Sequence, residues 1–501
     1  MFRAPVSAAA AVLILLATAS SAAAGEPRPQ LLRVSIDGHA VAVSDRLPGD
    51  LPLTRPSPPR PRAKAAAISG TVTRTIDRMV AQKRISRSRG AAALASWRQA
   101  VEARKRTKGA AGAALGAAID SIVGIAARGD LTPSRLEAAI LTAKRNSQFF
   151  ASGRTPAPYT RVQFNSESSG ATGNGAKRSD LVWQYYPGQG LQLQVLASFG
   201  VANGLWRASR TKPALKRNLR ALLDELSSLA AGRAGGVAWE YQFAFGGGKP
   251  PWASGMTQAT AVQALSRGAA MLDEPKYAAL ARRALPLFDS PPPSGVRLAT
   301  ARGPWYLMYT FDRSQLVLNG FLQSLIGLDE MRDLTKDKTA DRLFRSADPV
   351  ARAALPRYRS SGWSYYSPGE WDTVEYHSLT TGFLEELCRR TGSPAYCSTG
   401  KLFRGFLESA PSVAVKTGRL RTGRTGKLRI WVSKPAKLTV TVRSGTKGGK
   451  VLATTADLSP GIHSWNLRPP RGTKLMTVSV KATDSNGRSR SVKSTVVGVG
   501  K

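Results

Sequence analysis

Val317-Leu318-Asn319-Gly320-Phe321 and Ser324-Leu325-Ile326-Gly327-Leu328, two runs inside residues 316–331, set the fold class of this chain. Their apolar residues recur at three- and four-residue steps, the spacing that lines one face of an α-helix. The same period returns at 76–80, 119–125, 136–141, 219–226, 259–271, 277–287 and 379–387, and Pro133 falls in a first turn after Thr132. Glycine- and aromatic-rich loops separate these segments, among them Tyr185-Tyr186-Pro187-Gly188-Gln189-Gly190 and Phe245-Gly246-Gly247-Gly248-Lys249-Pro250-Pro251-Trp252. Many helices joined this way predict a mainly α fold over residues 72–411, an α/α toroid (helical barrel) with its loops gathered over one end.

Past Ser412 the period changes. Leu428-Arg429-Ile430-Trp431-Val432, Lys437-Leu438-Thr439-Val440-Thr441-Val442 and Met476-Thr477-Val478-Ser479-Val480 alternate at period two between Gly, Pro and Asn-Gly turns. Residues 412–501 therefore read as an appended immunoglobulin-like β-sandwich. It carries 19 Lys/Arg against two acids, Asp457 and Asp484, so its faces are cationic.

On the other side of the helices, residues 1–24 have the form of an export signal: Arg3, an apolar run from Ala8 to Ala19, then Ala22-Ala23-Ala24. The run is shorter than the ~20 residues of a spanning helix, and no later segment reads as one, so no integral membrane segment is expected once the signal is removed. Residues 25–71 read as a short β-hairpin around Asp37-Gly38, followed by a linker with six prolines between Leu47 and Arg62. A secreted, extracellular or wall-associated chain is the expectation.

At 501 residues and 42% hydrophobic, the chain is long and apolar enough for two or three cored domains. Its formal charge of +41 predicts attraction to polyanions. Export makes nucleic acid the least fitting of these and leaves an acidic wall polymer or an acidic polysaccharide. The two cysteines, Cys388 and Cys397, flank a helix stop at Gly392 and a turn at Pro394, which favours a disulfide over a zinc site or a nucleophile.

Chemistry concentrates in three short segments that hold five tyrosines: Trp305-Tyr306-Leu307-Met308-Tyr309, Trp363-Ser364-Tyr365-Tyr366 and Tyr376-His377. A phenol titrates near 10, so its use as a base demands a positive field that stabilises the phenolate. Gly246-Gly247-Gly248-Lys249-Pro250 lacks the Gly-Lys-Ser/Thr ending of a phosphate loop and reads as an aromatic-gated glycan loop. Trp183, Tyr185 and Tyr186 either stack on sugar rings or anchor a loop. Glu370, Asp372 and Glu375 read as a solvated acidic loop, and no carboxylate pair of glycosidase type stands out.

Taken in order, Trp239-Glu240-Tyr241-Gln242-Phe243-Ala244-Phe245-Gly246-Gly247-Gly248, Pro250-Pro251-Trp252-Ala253-Ser254-Gly255-Met256-Thr257-Gln258, Tyr309 and the 317–328 runs resemble the C-terminal catalytic domain of D-glucuronyl C5-epimerases, here in a secreted bacterial-type form. The resemblance covers roughly Leu181 to Glu386. It implies an α/α toroid that inverts C5 of glucuronate units in heparosan-like chains through three functional tyrosines. Residue-level matching assigns these to Tyr309, eight residues before Val317, to Tyr366, with Tyr365 as the alternative register, and to Tyr376. Three positions depart from the family pattern: Met308 replaces an acid, Gly369 a basic residue and Thr380 a histidine. The family's long N-terminal β-domain is expected to be absent.

Proton abstraction at C5 leaves an enediolate-like dianion, so the site needs a base on one face of the ring, an acid on the other and positive charge at the carboxylate. Lys249, Arg302 and Arg313 are the expected counter-charges, with Arg357 and Arg359 in reserve. Trp252, Asn319, Tyr186 and His377 complete the expected substrate contacts, with His377 equally readable as a helix-start residue bonded to backbone. No cofactor and no metal are expected. The leading expectation is a uronate C5-epimerase acting on an acidic, glucuronate-containing polysaccharide. Its rivals are a polysaccharide lyase, which shares the first step, and a non-catalytic glycan- or wall-binding protein.

Overall fold

The computed structural model describes residues 31–34, 40–43, 68–164, 179–445 and 448–499. The export segment 1–24, the hairpin turn Asp37-Gly38 and the proline-rich stretch 47–62 lie outside the described residues. Two compact units divide the chain, one drawn from Pro27–Arg359 and Tyr365–Phe403, the other from Ser360–Ser364 and Arg404–Lys501.

The first unit opens with strands β1 (Leu31–Val34) and β2 (Ala40–Val43), then four helices: α1 (Ile68–Ala81), α2 (Arg87–Arg106), α3 (Gly109–Ala127) and α4 (Leu136–Phe150). Ser86 starts α2 by accepting the Arg89 N–H at 3.2 Å, a side-chain cap for an otherwise unpaired donor. Strands β3 (Arg161–Phe164), β4 (Trp183–Tyr186) and β5 (Gly190–Leu193) follow. They complete a five-stranded sheet in the order β2-β1-β3-β4-β5, with β1 parallel to β3. The hairpin is thus not a separate N-terminal piece, and residues 72–411 are not all helix and loop. These strands escape a period-two reading because each has four residues, and β3–β5 are buried on both faces. α3 also corrects an expectation: it is long and apolar enough to cross a membrane, with half of its apolar window buried inside the unit. Its apolarity serves packing against α1, α4 and β5.

Helices then dominate: α5 (Val195–Ser209), α6 (Lys216–Ser228), hairpin β6 (Ala231–Arg233) and β7 (Gly236–Ala238), α7 (Gly255–Leu272), α8 (Pro275–Ala284) and α9 (Pro286–Asp289). Hairpin β8 (Arg297–Thr300) and β9 (Gly303–Tyr306) leads to α10 (Leu318–Thr335) and α11 (Lys338–Ala354). Hairpin β10 (Tyr365–Ser367) and β11 (Glu370–Trp371) precedes α12 (Val374–Thr391) and α13 (Pro394–Glu408). Ser254, Asp337 and Thr373 cap α7, α11 and α12, and Gly392 ends α12 in the left-handed conformation. α7 and α10 pack most closely because of Gly327: a Cβ there would meet the Ala259 carbonyl oxygen at 2.3 Å. Arg267 of α7 and Arg390 of α12 both reach Glu330 of α10, each with a bond of 2.8 Å, and tie the three helices beneath their apolar seams.

In the second unit, β12 (Val413–Val415), β13 (Arg419–Arg421), β14 (Gly426–Val432), β15 (Ala436–Ser444), β16 (Lys450–Leu458), β17 (Gly461–Leu467), β18 (Leu475–Thr483) and β19 (Ser489–Val499) form two sheets. One has the order β12-β14-β17 and the other β13-β19-β18-β15-β16. Leu428, Ile430 and Val432 of the first and Leu438, Val440, Val478 and Val480 of the second share one core. That is the inward half of the alternation seen in the sequence. Lys434, buried, is held by Asp484 at 2.9 Å and by the Phe406 and Ser409 carbonyls.

Candidate active site

Tyr309 lies in the segment between β9 and α10, and two layers of contacts fix it. Its neighbour Thr310 accepts the Ala253 N–H through Oγ1 at 3.2 Å and donates its own N–H to Ala253 O at 3.0 Å. Behind this, Glu240 is gripped by Arg135 at 2.6 and 2.9 Å and by Arg233 at 2.6 Å, while Arg233 also reaches the Ser294 carbonyl. A buried carboxylate between two guanidiniums holds position where a single one leaves lone pairs unmet. Around the Tyr309 ring stand Phe311, stacked at 5.2 Å, Phe245 at 5.6 Å and Trp252 at 5.8 Å.

Tyr366 comes from β10 and Tyr376 from the first turn of α12, whose cap Thr373 accepts the Tyr376 N–H. Their ring centroids are 5.2 Å apart. The Tyr309 hydroxyl donates a hydrogen bond to Tyr366, so all three candidate tyrosines meet in one place. Strand alternation separates the two registers left open by the sequence: Tyr365 faces the other way and stacks on Trp371 at 4.2 Å.

The cation beside these phenols is Arg161, from β3. It is buried and interacts electrostatically with both Tyr186 and Tyr376. Burial pulls its guanidinium down to about 10, against the pull of those two phenols. Burial likewise pushes the Tyr309 phenol well above its ordinary value, with Tyr366, Tyr376 and Tyr186 adding to the rise. Tyr366 is raised by burial and by Tyr376, and the Tyr309 hydrogen bond works the other way. Behind them runs a polar chain: Gln194 donates to the Tyr186 hydroxyl at 2.5 Å, and the Tyr241 hydroxyl bonds Gln194 at 3.3 Å and Thr257 at 2.8 Å.

The remaining candidates divide. Trp252 belongs to the aromatic wall, stacked on Tyr241 at 4.2 Å and on Phe245 at 5.6 Å. Tyr186 adjoins the phenols, its ring 4.6 Å from Phe243. Asn319, in the first turn of α10, is 1% exposed and its amide makes no hydrogen bond among the described residues. Lys249, Arg302, Arg313, Arg357 and Arg359 are exposed, and Arg313 bonds the Pro292 carbonyl at 2.8 Å. The buried cation that interacts with the phenols is instead Arg161, which the sequence reading did not single out. It was missed because it lies far upstream on a four-residue strand with no motif of its own. His377 is fully buried, with Nε2 3.0 Å from the Phe403 carbonyl and its ring against Phe403, the helix-packing alternative. Trp183 and Tyr185 pack on Phe164 and Phe150.

The three departures also have places. Met308 lies against Ser254, its sulfur 3.7 Å from the hydroxyl, and a Cβ at Gly320 would meet that sulfur at 2.8 Å. Gly369 makes the β10–β11 turn at φ 87°, and Thr380 bonds the Tyr376 carbonyl at 2.8 Å. Cys388 and Cys397 form a disulfide across the α12–α13 turn. Among the described residues no group of three His, Cys, Asp or Glu side chains is placed to hold a metal.

Residues 234–405 match the model of the D-glucuronyl C5-epimerase C-terminus. A D-glucuronyl C5-epimerase of Caenorhabditis elegans is 30% identical over 130 residues, which is 23% of this chain and 21% of that protein. Among solved structures, a cellobiose 2-epimerase from Bacillus thermoamylovorans aligns with a TM-score of 0.34 at 11% identity, over 44% of this chain and 62% of its own. A D-mannose isomerase aligns with a TM-score of 0.32 at 15% identity, over 43% of this chain and 60% of its own. Tyr309, Tyr366 and Tyr376 all fall within the matched residues, and through that region the chain is similar to the D-glucuronyl C5-epimerase C-terminus.

Proposed function

We propose that the chain is a carbohydrate epimerase that inverts C5 of uronate units in an acidic, glucuronate-containing polysaccharide. The observation that carries this reading is the meeting of Tyr309, Tyr366 and Tyr376 from three separate elements, beside a buried arginine. The α/α toroid for the helical unit and the immunoglobulin-like class for the C-terminal unit belong to the same proposal. So does export to the cell exterior or wall, which the leader-like residues 1–24 and the disulfide support.

The charges suggest the roles. Arg161 favours the ionised form of Tyr376, so Tyr376 is the base that takes the C5 proton. Tyr309 is held neutral by burial and is the acid that delivers a proton to the opposite face of C5. Tyr366, bonded to Tyr309 and in ring contact with Tyr376, returns the proton from the new phenol to the new phenolate. Arg161 also offsets the second negative charge that develops on the substrate carboxylate. The Asn319 amide, without a hydrogen-bond partner among the described residues, and the Trp252 face are the expected sugar contacts. One phenolate beside a buried arginine and one neutral phenol suit an anionic substrate, since two carboxylates would add more repulsion.

Incubation with heparosan and with other glucuronate polymers in D2O tests the reading. Deuterium at C5 with mixed stereochemistry is expected. Rising absorbance from an unsaturated uronate would make the protein a lyase, and polymer binding with neither signal would make it a binder.

A further inference from the structure

The five-stranded sheet of the C-terminal unit buries one face and shows the other to solvent. Apart from Ser444 at the end of β15, even-numbered positions of β15 and β18, such as Val440 and Val480, are buried, so the odd-numbered ones point outward. On that outer face the register sets Lys493 opposite Ser479, Lys481 opposite Ser491 and Thr439, and Lys437 opposite Thr483. Lys493, Lys481 and Lys437 are thus one diagonal step apart on three adjacent strands, roughly 7–8 Å per step. All three are exposed, and Arg443 faces the same side further along β15.

Like charges at neighbouring sheet positions repel, so this arrangement lowers the stability of the isolated unit. Packing gives no reason for it. Asp457, opposite Lys437, is the one acid on this face among the described residues, and most other outward positions on these strands are Ser or Thr. Hydroxyls donate to carboxylate or sulfate oxygens, and ammonium groups neutralise them. Aromatic side chains, the stacking platform of single-stranded nucleic-acid binders, are lacking among the described outward residues.

We propose that this face binds an anionic polysaccharide along the Lys493–Lys481–Lys437 diagonal, a retention site distinct from the tyrosine cluster. The choice of polysaccharide over other polyanions rests on the epimerase reading, whereas the cationic diagonal stands without it.

The test uses the full chain and fluorescently labelled heparosan of about twenty sugars, with affinity followed from 50 to 300 mM NaCl. The triple variant Lys437→Gln/Lys481→Gln/Lys493→Gln is expected to bind at least tenfold more weakly and with a flatter salt dependence, because fewer counterions are released. A charge-matched variant on the helical unit, Lys83→Gln/Arg84→Gln/Arg87→Gln, is expected to stay within twofold of the unmodified chain. Lys481→Gln alone is expected to show a partial loss, which keeps the test valid if the triple variant melts early. Equal binding by the sheet variant overturns the proposal, as does an equal loss in the helical variant. Single-stranded DNA of matched charge that binds more tightly, and loses that binding in the sheet variant, overturns the choice of ligand. C5 exchange is not read in this assay, so a chain without epimerase activity that still shows the loss upholds the face while the activity fails.

Discussion

At the residue scale, the decisive relation is between Arg161 and the phenols. A cation near Tyr376 lowers the cost of its phenolate, and removing that cation raises the cost. Arg161→Gln is therefore expected to move the rising limb of the C5-exchange pH profile to higher pH, with Arg161→Lys recovering part of the shift. A pH-rate series on the three proteins checks this, and an unmoved limb would assign Arg161 to packing alone. Gly248 makes a second residue-scale case: a Cβ there would lie 2.3 Å from the Phe311 ring, which stacks on Tyr309. Gly248→Ala is expected to displace that ring and lower exchange more than it lowers the melting temperature. The tyrosines were legible because each sits in a motif with fixed spacing. Arg161 was not, since spacing says nothing about a strand delivered from more than a hundred residues upstream.

At the element scale, close approach of α7 and α10 holds the helical unit together. Gly327→Ala drives a methyl group into the Ala259 carbonyl and is expected to destabilise by about 1–3 kcal/mol in urea titrations, without changing the number of free thiols. The disulfide between α12 and α13 closes a short loop, so Cys388→Ser/Cys397→Ser is expected to cost about 3 kcal/mol in the same titration. Helices such as α7 and α10 could be read from the sequence because their apolar faces repeat over four or five turns. β3, β4 and β5 could not, because four-residue strands buried on both faces carry neither alternation nor length. Their discovery returns a β-layer to the N-terminal side of the fold and explains how Tyr186 and Arg161 reach the tyrosines. α3 shows the converse, an apolar stretch whose membrane-like composition reflects burial among helices.

At the scale of the whole molecule, nine buried or partly buried tyrosines, 159, 185, 241, 277, 306, 309, 358, 366 and 396, have phenols raised by burial. In the unfolded chain they ionise near 10, so their contribution to stability is complete below about pH 10 and is lost as the pH rises further, by about 1.4 kcal/mol per unit for each phenol kept neutral. Arg161, lowered to about 10, and Arg145, Arg267 and Lys434, also lowered by burial, work in the opposite direction, but these four groups do not offset nine phenols. The urea midpoint is expected to stay level from pH 7 to 9 and fall beyond 10, with most of the rise in absorbance at 295 nm accompanying unfolding. The same burial underlies the proposed chemistry, because it keeps Tyr309 a proton donor at neutral pH. The central claim is that three phenols act on one sugar carbon, and the rate of deuterium entry at C5 of heparosan, compared among the unmodified chain, Tyr309→Phe and Tyr376→Phe, reads it most directly. A fall of about 10²–10⁴-fold in each variant, with the fold intact by circular dichroism, is the predicted result. Unchanged exchange in both would contradict the account.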